Sequence, residues 1–200
     1  MPLTRKGAAT RQRIIKGAAD QIREQGVFSV RLEDVMARTA TSKSQLFHYF
    51  PGGKDELLLA VARHEASRVI DEQQPELGSL TSWAAWRQWR DKVVARYRAR
   101  GSDCPLHAAL AQLGGATDAT RTVAGELLGR WQHELAAGIR HMQGGGEIDP
   151  GLDADREAAA LLSGIQGGVL ILMTTGSLTH LEAAIDLGIA HLRASTRRDR

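Results

Sequence analysis

Apolar residues recur at three- and four-residue intervals along almost the whole chain, and no stretch of useful length alternates apolar with polar residues. A chain so patterned has no half-buried strand faces to pair, so it must bury helix stripes against helix stripes. Glycine- and proline-rich breaks set the lengths. The pattern predicts a first helix from about Thr10, as N-cap, to Gln25, with Gly26 as its stop and Ile14, Ala18, Ile22 and Gln25 on one stripe. Val27 and Val30 lead into short helices over Leu32 to about Ala40 and from Thr41 or Ser42 to His48. After Pro51-Gly52-Gly53 a longer helix runs from Lys54 to about Glu72. Beyond the polar break Gln73-Gln74-Pro75, helices are expected at 79–100, 105–113, 118–143, 155–174 and 179–197. The expected fold class is all-α, with a three-helix head on a larger C-terminal bundle, about nine helices in all. The expected domains are 1–53 and 54–200, with helix 54–72 connecting them.

Charge divides the same way. Up to Phe50 there are nine basic residues against four acidic, or +5, while the remainder holds 17 basic and 19 acidic, or −2. A basic head on a nearly neutral body suggests an acidic partner for the head, although a solvated basic surface would give the same count. The one cysteine, Cys104, excludes an internal disulfide framework and fits a reducing cytosol. The opening MPLTRKGAATRQRIIKG has no apolar run behind its basic residues, unlike a secretory signal. The most apolar stretch, 158–173, is short for a membrane span and reads as a buried helix. A cytoplasmic protein with no membrane partner is expected.

The segment LEDVMARTATSKSQLFHYF, residues 32–50, carries the chemistry. Two short helices joined by a tight turn, the second opening with small polar and basic residues, follow the plan of a helix-turn-helix. Leu32, Val35 and Met36 are expected to pack against Leu46 and Phe47. That leaves Ser42, Lys43, Ser44 and Gln45 at the free end of the second helix, within reach of a major groove about 12 Å wide. Gln45 suits a bidentate pair with adenine, and Lys43 a guanine edge or a phosphate. Gly52-Gly53-Lys54 lacks the spacing of a P-loop. It reads either as a helix N-terminus whose amides, with Lys54, grip a DNA phosphate, or as a solvated lysine.

With RIIKGAADQIREQG ahead of it and FPGGKDELLLAVA behind it, this core resembles the DNA-binding head of the TetR family of repressors over the first 65 or so residues. PGGKDEL and DCPLHAALAQL (103–113) further resemble the multidrug-type regulators typified by LmrA and YxaF. The resemblance implies double-stranded DNA as partner, a pseudo-palindromic operator, and DNA contacts from Arg31, Ser42, Lys43, Ser44, Gln45, Phe47, His48, Tyr49 and Lys54. The chain departs from the family in having Ala40-Thr41 where Gly-Val is usual, so a tighter or tilted turn is expected. It also has Phe47 where tyrosine is usual, so a phosphate contact through a hydroxyl there must pass to His48 or Tyr49.

The resemblance assigns the second region to effector binding and dimerisation. Trp83, Trp86, Arg90, Val93, Val94 and Tyr97 share a face, with Trp89 at its edge; Val123, Leu127, Trp131, Leu135 and Met142 form another. Each stripe is either bundle core or pocket wall. Arg90 among apolar residues needs a partner, either an acidic neighbour or an anionic ligand. The candidate ligand residues are Trp86, Arg90, His107, Trp131 and Gln166, suited to a small aromatic effector. Helices 155–174 and 179–197 are expected to form the homodimer, with Gly164, Gly167 and Gly168 allowing close backbone approach; the alternative is that they complete the monomer core.

An enzyme is not expected: the histidines lack HxxxH or HExxH spacing, and no GxSxG elbow or catalytic carboxylate pair is present. No cofactor or metal is expected. The expected function is a TetR-type repressor released from its operator by a small molecule; the alternative is a ligand-insensitive architectural DNA-binding protein.

Overall fold

The computed structural model describes residues 3–25, 29–101 and 118–195, and every regular element among them is helical. We number the helices α1 (Arg5–Gln25), α2 (Leu32–Thr39), α3 (Lys43–Tyr49), α4 (Gly53–Asp71), α5 (Trp83–Arg100), α6 (Asp118–Gly144), α7 (Ala154–Thr175) and α8 (Thr179–Ser195), with one 3₁₀ turn at Leu77–Ser79. The all-α expectation holds. The predicted helix 105–113, the Gly26 stop, Val27, Cys104, His107 and the tail beyond Ser195 lie outside the described residues. The chain divides into two compact units, residues 1–68 with 104–125 and residues 69–103 with 126–200.

In the first unit, α1 begins nearly two turns earlier than predicted. Thr4 caps it, its Oγ1 accepting from Gly7 N at 3.2 Å, whereas Thr10 lies inside the helix and its hydroxyl donates to Lys6 O. Gln25 is exposed rather than on the buried stripe, which instead runs through Ile14, Ile15, Ala18, Gln21 and Ile22. These side chains, Val35, Leu46 and Phe50, and Leu57, Leu58 and Val61 of α4 fill the core. Helices α1 and α2 cross closely: a Cβ on Gly17 would come within 2.3 Å of Thr39 Cγ2. Beside the crossing, the Arg38 guanidinium grips the Glu24 carboxylate with both terminal nitrogens.

In the second unit the α5 stripe is rotated from the predicted one. Trp89, placed at the edge by periodicity, is fully buried with Trp86, Val93 and Val94, while Trp83 is only half-buried. The reason is polar: Trp83 Nε1 donates to Glu147 Oε2 at 2.9 Å, which holds the ring near solvent. Trp86, Trp89 and Trp131 are each fully buried, a contribution of up to about 4–6 kcal/mol per ring. Helices α7 and α8 pack along their lengths as an antiparallel pair joined through Gly176, which takes the left-handed backbone (φ 75°). Gly168 makes this closeness possible: a Cβ there would stand 2.5 Å from Leu181 Cα. Gly164 meets Ala184, and Gly188 meets Leu161, in the same seam. Gly164 and Gly168 therefore hold α7 to α8 within the chain, while a Cβ on Gly167 would meet nothing within 4 Å.

Helix α7 is long and apolar enough to cross a membrane by length and composition, yet only 39% of its most apolar stretch is buried. The expectation of a buried helix is thus half met. Ala160, Gly167 and Leu170 of α7, and Ala183, Leu187, Ala190 and Ala194 of α8, are exposed; Leu170 and Leu187 are 57% and 70% accessible.

Candidate nucleic-acid interface

The second short helix of the head owes its position to two local devices. The first is the turn. Ala40 takes the left-handed backbone (φ 47°, ψ 48°); its N–H donates to Ala37 O, and Thr41 N–H donates to Met36 O at 3.0 Å. This is a Schellman motif with alanine at the position glycine usually fills, so the turn is the ordinary one and the expected tilt does not occur. Alanine holds that backbone at a cost of about 1–2 kcal/mol. The Thr39 hydroxyl, donating to Val35 O, and the Thr41 hydroxyl, donating to Thr39 O, tie the turn down from inside.

The second device is a capping box. Ser42 is the N-cap of α3, its Oγ accepting from Gln45 N at 3.2 Å, and Gln45 Oε1 accepts from Ser42 N at 3.1 Å. The box fixes Gln45 without using it up. Its Oε1 also accepts from Ser42 Oγ at 3.5 Å, a long contact that must yield for a bidentate adenine pair, while Nε2 remains a donor for one.

Leu46 and Phe50 face the core, with Val35, and the Arg11 guanidinium lies 5.0 Å from the centre of the Phe50 ring. Leu32 and Met36 are half-buried, and Phe47, expected in the helix–helix contact, is 40% exposed. Helical phase turns Phe47 about 100° away from buried Leu46, and Phe50, at the non-helical C-cap, takes the core position instead. Lys43, Ser44, Gln45 and His48 are exposed with it, as is Arg31 at the start of α2. The structure thus brings Ser42, Lys43, Ser44, Gln45, Phe47 and His48 to one free surface. Tyr49 is half-buried, its ring edge-on to His48 at 4.9 Å and its hydroxyl 3.5 Å from where a Cβ on Gly7 would stand.

The amides at Gly52 and Gly53 are committed within the protein. Gly52 N–H donates to Glu56 Oε2 at 2.7 Å and Gly53 N–H to Phe50 O at 2.9 Å, so a carboxylate already sits where a phosphate was expected. Lys54 is half-buried and itself engaged. Glu56 was missed as an occupant of this turn, though an acid in the first turn of α4 is the available signal. The first unit also carries an open cleft of about 490 Å³ between α1 and α2, lined by Gln12, Arg13, Lys16 and Thr39 among others.

In the second unit the candidate ligand residues separate. Arg90 is half-buried and paired, its Nε and Nη2 donating to Asp186 Oδ1 and Oδ2, each at 2.8 Å, and its Nη1 to Asp91 at 3.2 Å. The Asp186 hydrogen bonds hold the guanidinium well above its ordinary pKa, against the opposing effect of burial. Of the two readings of Arg90 the acidic neighbour is the one realised, and the anionic-ligand reading falls. Sequence could not supply that partner, which lies 96 residues away.

Trp86 and Trp131 are fully buried, and neither indole Nε1 has a hydrogen-bond partner among the described residues. The contrast with Trp89 is informative. Its Nε1 donates to Gln73 Oε1 at 2.8 Å, and Gln73 Nε2 in turn donates to Val69 O. Gln166 on α7 is half-buried.

Comparison with known proteins completes the assignment. Residues 14–61 match the family of bacterial regulatory proteins, tetR family, and residues 83–187 match the tetracyclin repressor-like C-terminal domain. An uncharacterized HTH-type transcriptional regulator of Mycobacterium tuberculosis is 25% identical over 186 residues, covering 86% of this chain and 88% of its own. A TetR transcription regulator from Haloarcula marismortui superposes with a TM-score of 0.77 at 18% identity, over 94% of this chain and 98% of its own. A putative transcriptional regulator from Saccharomonospora viridis, solved in complex with choline, gives 0.67 at 22% identity, over 92% and 97%. With its head and its C-terminal region each matched, and its helix-turn-helix built as the geometry describes, the chain belongs to the TetR family of DNA-binding transcriptional regulators, which are not enzymes.

Proposed function

We propose that the protein is a homodimeric, cytoplasmic repressor that binds a pseudo-palindromic operator through α3 and leaves it when a small molecule enters the C-terminal region. The observation that carries the DNA half is the free face of α3. Lys43, Ser44, Gln45 and His48 stand exposed on a helix whose start is fixed by a complete capping box. A reader held rigidly loses little entropy on entering a groove. In this reading Ser42, Lys43, Ser44, Gln45 and Phe47 face base edges, while Arg31, His48, Tyr49 and Lys54 reach the backbone. The head (1–53) reads DNA, and residues 54–200 bind effector and dimerise.

The exposed apolar stripes on α7 and α8 support the dimer. Leu170 and Leu187 in water leave a hydrophobic face that a second copy would cover, giving a four-helix interface. The indole donors of Trp86 and Trp131, without a partner among the described residues, support an effector. A buried donor without an acceptor costs about 1–3 kcal/mol, and a ligand oxygen at each would recover it. With Arg90 already neutralised, that effector is a flat, neutral aromatic molecule bearing acceptor oxygens, the kind of ligand the resemblance to multidrug-type regulators suggests.

Selection from random duplex DNA tests the proposal. An enriched inverted repeat, with half-sites about one helical turn apart, is expected. Enrichment of a bendable sequence without a repeat would favour an architectural DNA-binding protein. Titrating neutral aromatic carbonyl compounds should quench tryptophan fluorescence and weaken DNA binding over one concentration range. Choline belongs in the same screen, because indole faces also attract quaternary ammonium; release by choline alone would overturn the acceptor-based chemistry.

A further inference from the structure

The free surface of α3 carries side chains that can form hydrogen bonds, and one that cannot. Phe47 is 40% exposed, and an added Cβ on Gly53 would lie 3.7 Å from its Cε1, so one edge of the ring rests on the turn before α4 while the rest stands in solvent. Lys43 lies one turn earlier on the same helix and is exposed beside it. A phenyl ring has no proton to donate to a phosphate, and its electron-rich face repels one. In the major groove the one apolar group that projects from the base edges is the C5 methyl of thymine, where cytosine has only a C–H; the remaining readout is by hydrogen-bond donors and acceptors. A ring delivered to that groove beside polar readers can discriminate by covering that methyl group.

We infer that Phe47 is a specificity-determining residue that selects a thymine in each half-site by packing on its methyl group. This rests on the reading that α3 enters the major groove. The apolar competitor is a deoxyribose of the backbone, which would give affinity without sequence preference.

The test uses the full chain and the site it selects from random duplexes. Each recurrent thymine of one half-site is replaced in turn by deoxyuridine, which removes the methyl and nothing else. At one position the wild-type protein should lose about fourfold in affinity, the worth of one buried methyl group. F47A should bind the thymine and uracil forms equally there, and its own selected site should no longer favour thymine at that position. F47L, which keeps an apolar side chain, should retain the methyl dependence and thereby exclude a folding defect as the cause. Two results overturn the inference: a wild type indifferent to every thymine-to-uracil exchange, or an F47A protein that keeps the same methyl sensitivity. A uniform loss of affinity in F47A without methyl dependence assigns the ring to the sugar and also overturns it. If no sequence is enriched at all, the repressor reading fails first and takes this inference with it.

Discussion

Ala40 occupies a backbone conformation that an L-residue adopts only at a cost, and it does so at the hinge of the reading head. Ala40→Gly removes about 1–2 kcal/mol of left-handed strain and returns part of it as greater freedom in the unfolded chain. The variant should therefore be more stable by about 0.5–1 kcal/mol in urea unfolding, with unchanged DNA specificity; a less stable variant would mean that the Schellman geometry is not what alanine is straining against. His64 offers a second residue-level test. Its Nδ1 lies 3.3 Å from Gln12 Nε2, and burial pushes its pKa below the ordinary value, with Glu65 opposing the shift. The folded state thus binds a proton less readily than the unfolded chain. Stability from this group is full above the unfolded value of about 6.5 and is lost as pH falls from there through the lower folded pKa. His64→Gln should remove that part of the pH slope between about pH 7 and pH 5. An identical slope in the variant would assign the acid sensitivity elsewhere.

Helices α7 and α8 have two faces with different work. Gly168 and Leu181 close the seam between them inside the chain, whereas Leu170 and Leu187 look outward. Leu187→Asp should leave a folded protein that elutes as a monomer and binds DNA weakly. Gly168→Leu should instead destabilise the chain by several kcal/mol, because backbone atoms of Leu181 cannot step aside. Circular dichroism and light scattering on the two variants separate the faces, and a Leu187→Asp protein that stays dimeric would contradict the assignment. Periodicity made the existence of these helices legible, along with most of the buried stripe of α8, because a 3.6-residue repeat reports burial directly. It could not divide seam from outer face on α7, where small and apolar residues cover both sides. In the head, the helix-turn-helix and the free end of α3 were legible, with Ser42 one of two N-cap candidates, whereas its capping box with Gln45 and the outward turn of Phe47 came only with the structure. What the sequence could not carry were pairings across long separations. Asp186 under Arg90 and Gln73 under Trp89 are set by the fold, and no local pattern marks them.

At the scale of the molecule, the proposed function makes one device of a basic head and a C-terminal region whose buried Trp86 and Trp131 donors lack partners among the described residues: a regulator whose DNA affinity would be set by occupancy elsewhere. Such coupling needs a ligand with different affinity for two states of the protein, and each ligand must weaken the other by the same factor. The capacity to discriminate DNA sequences comes first, since release has meaning only if binding is specific. Fluorescence anisotropy of the full chain on its selected inverted repeat and on a scrambled duplex, at one fixed salt concentration near physiological, measures it directly. The account predicts at least about a thousandfold preference for the repeat, saturating at one dimer per site. Equal affinity for both duplexes would contradict it.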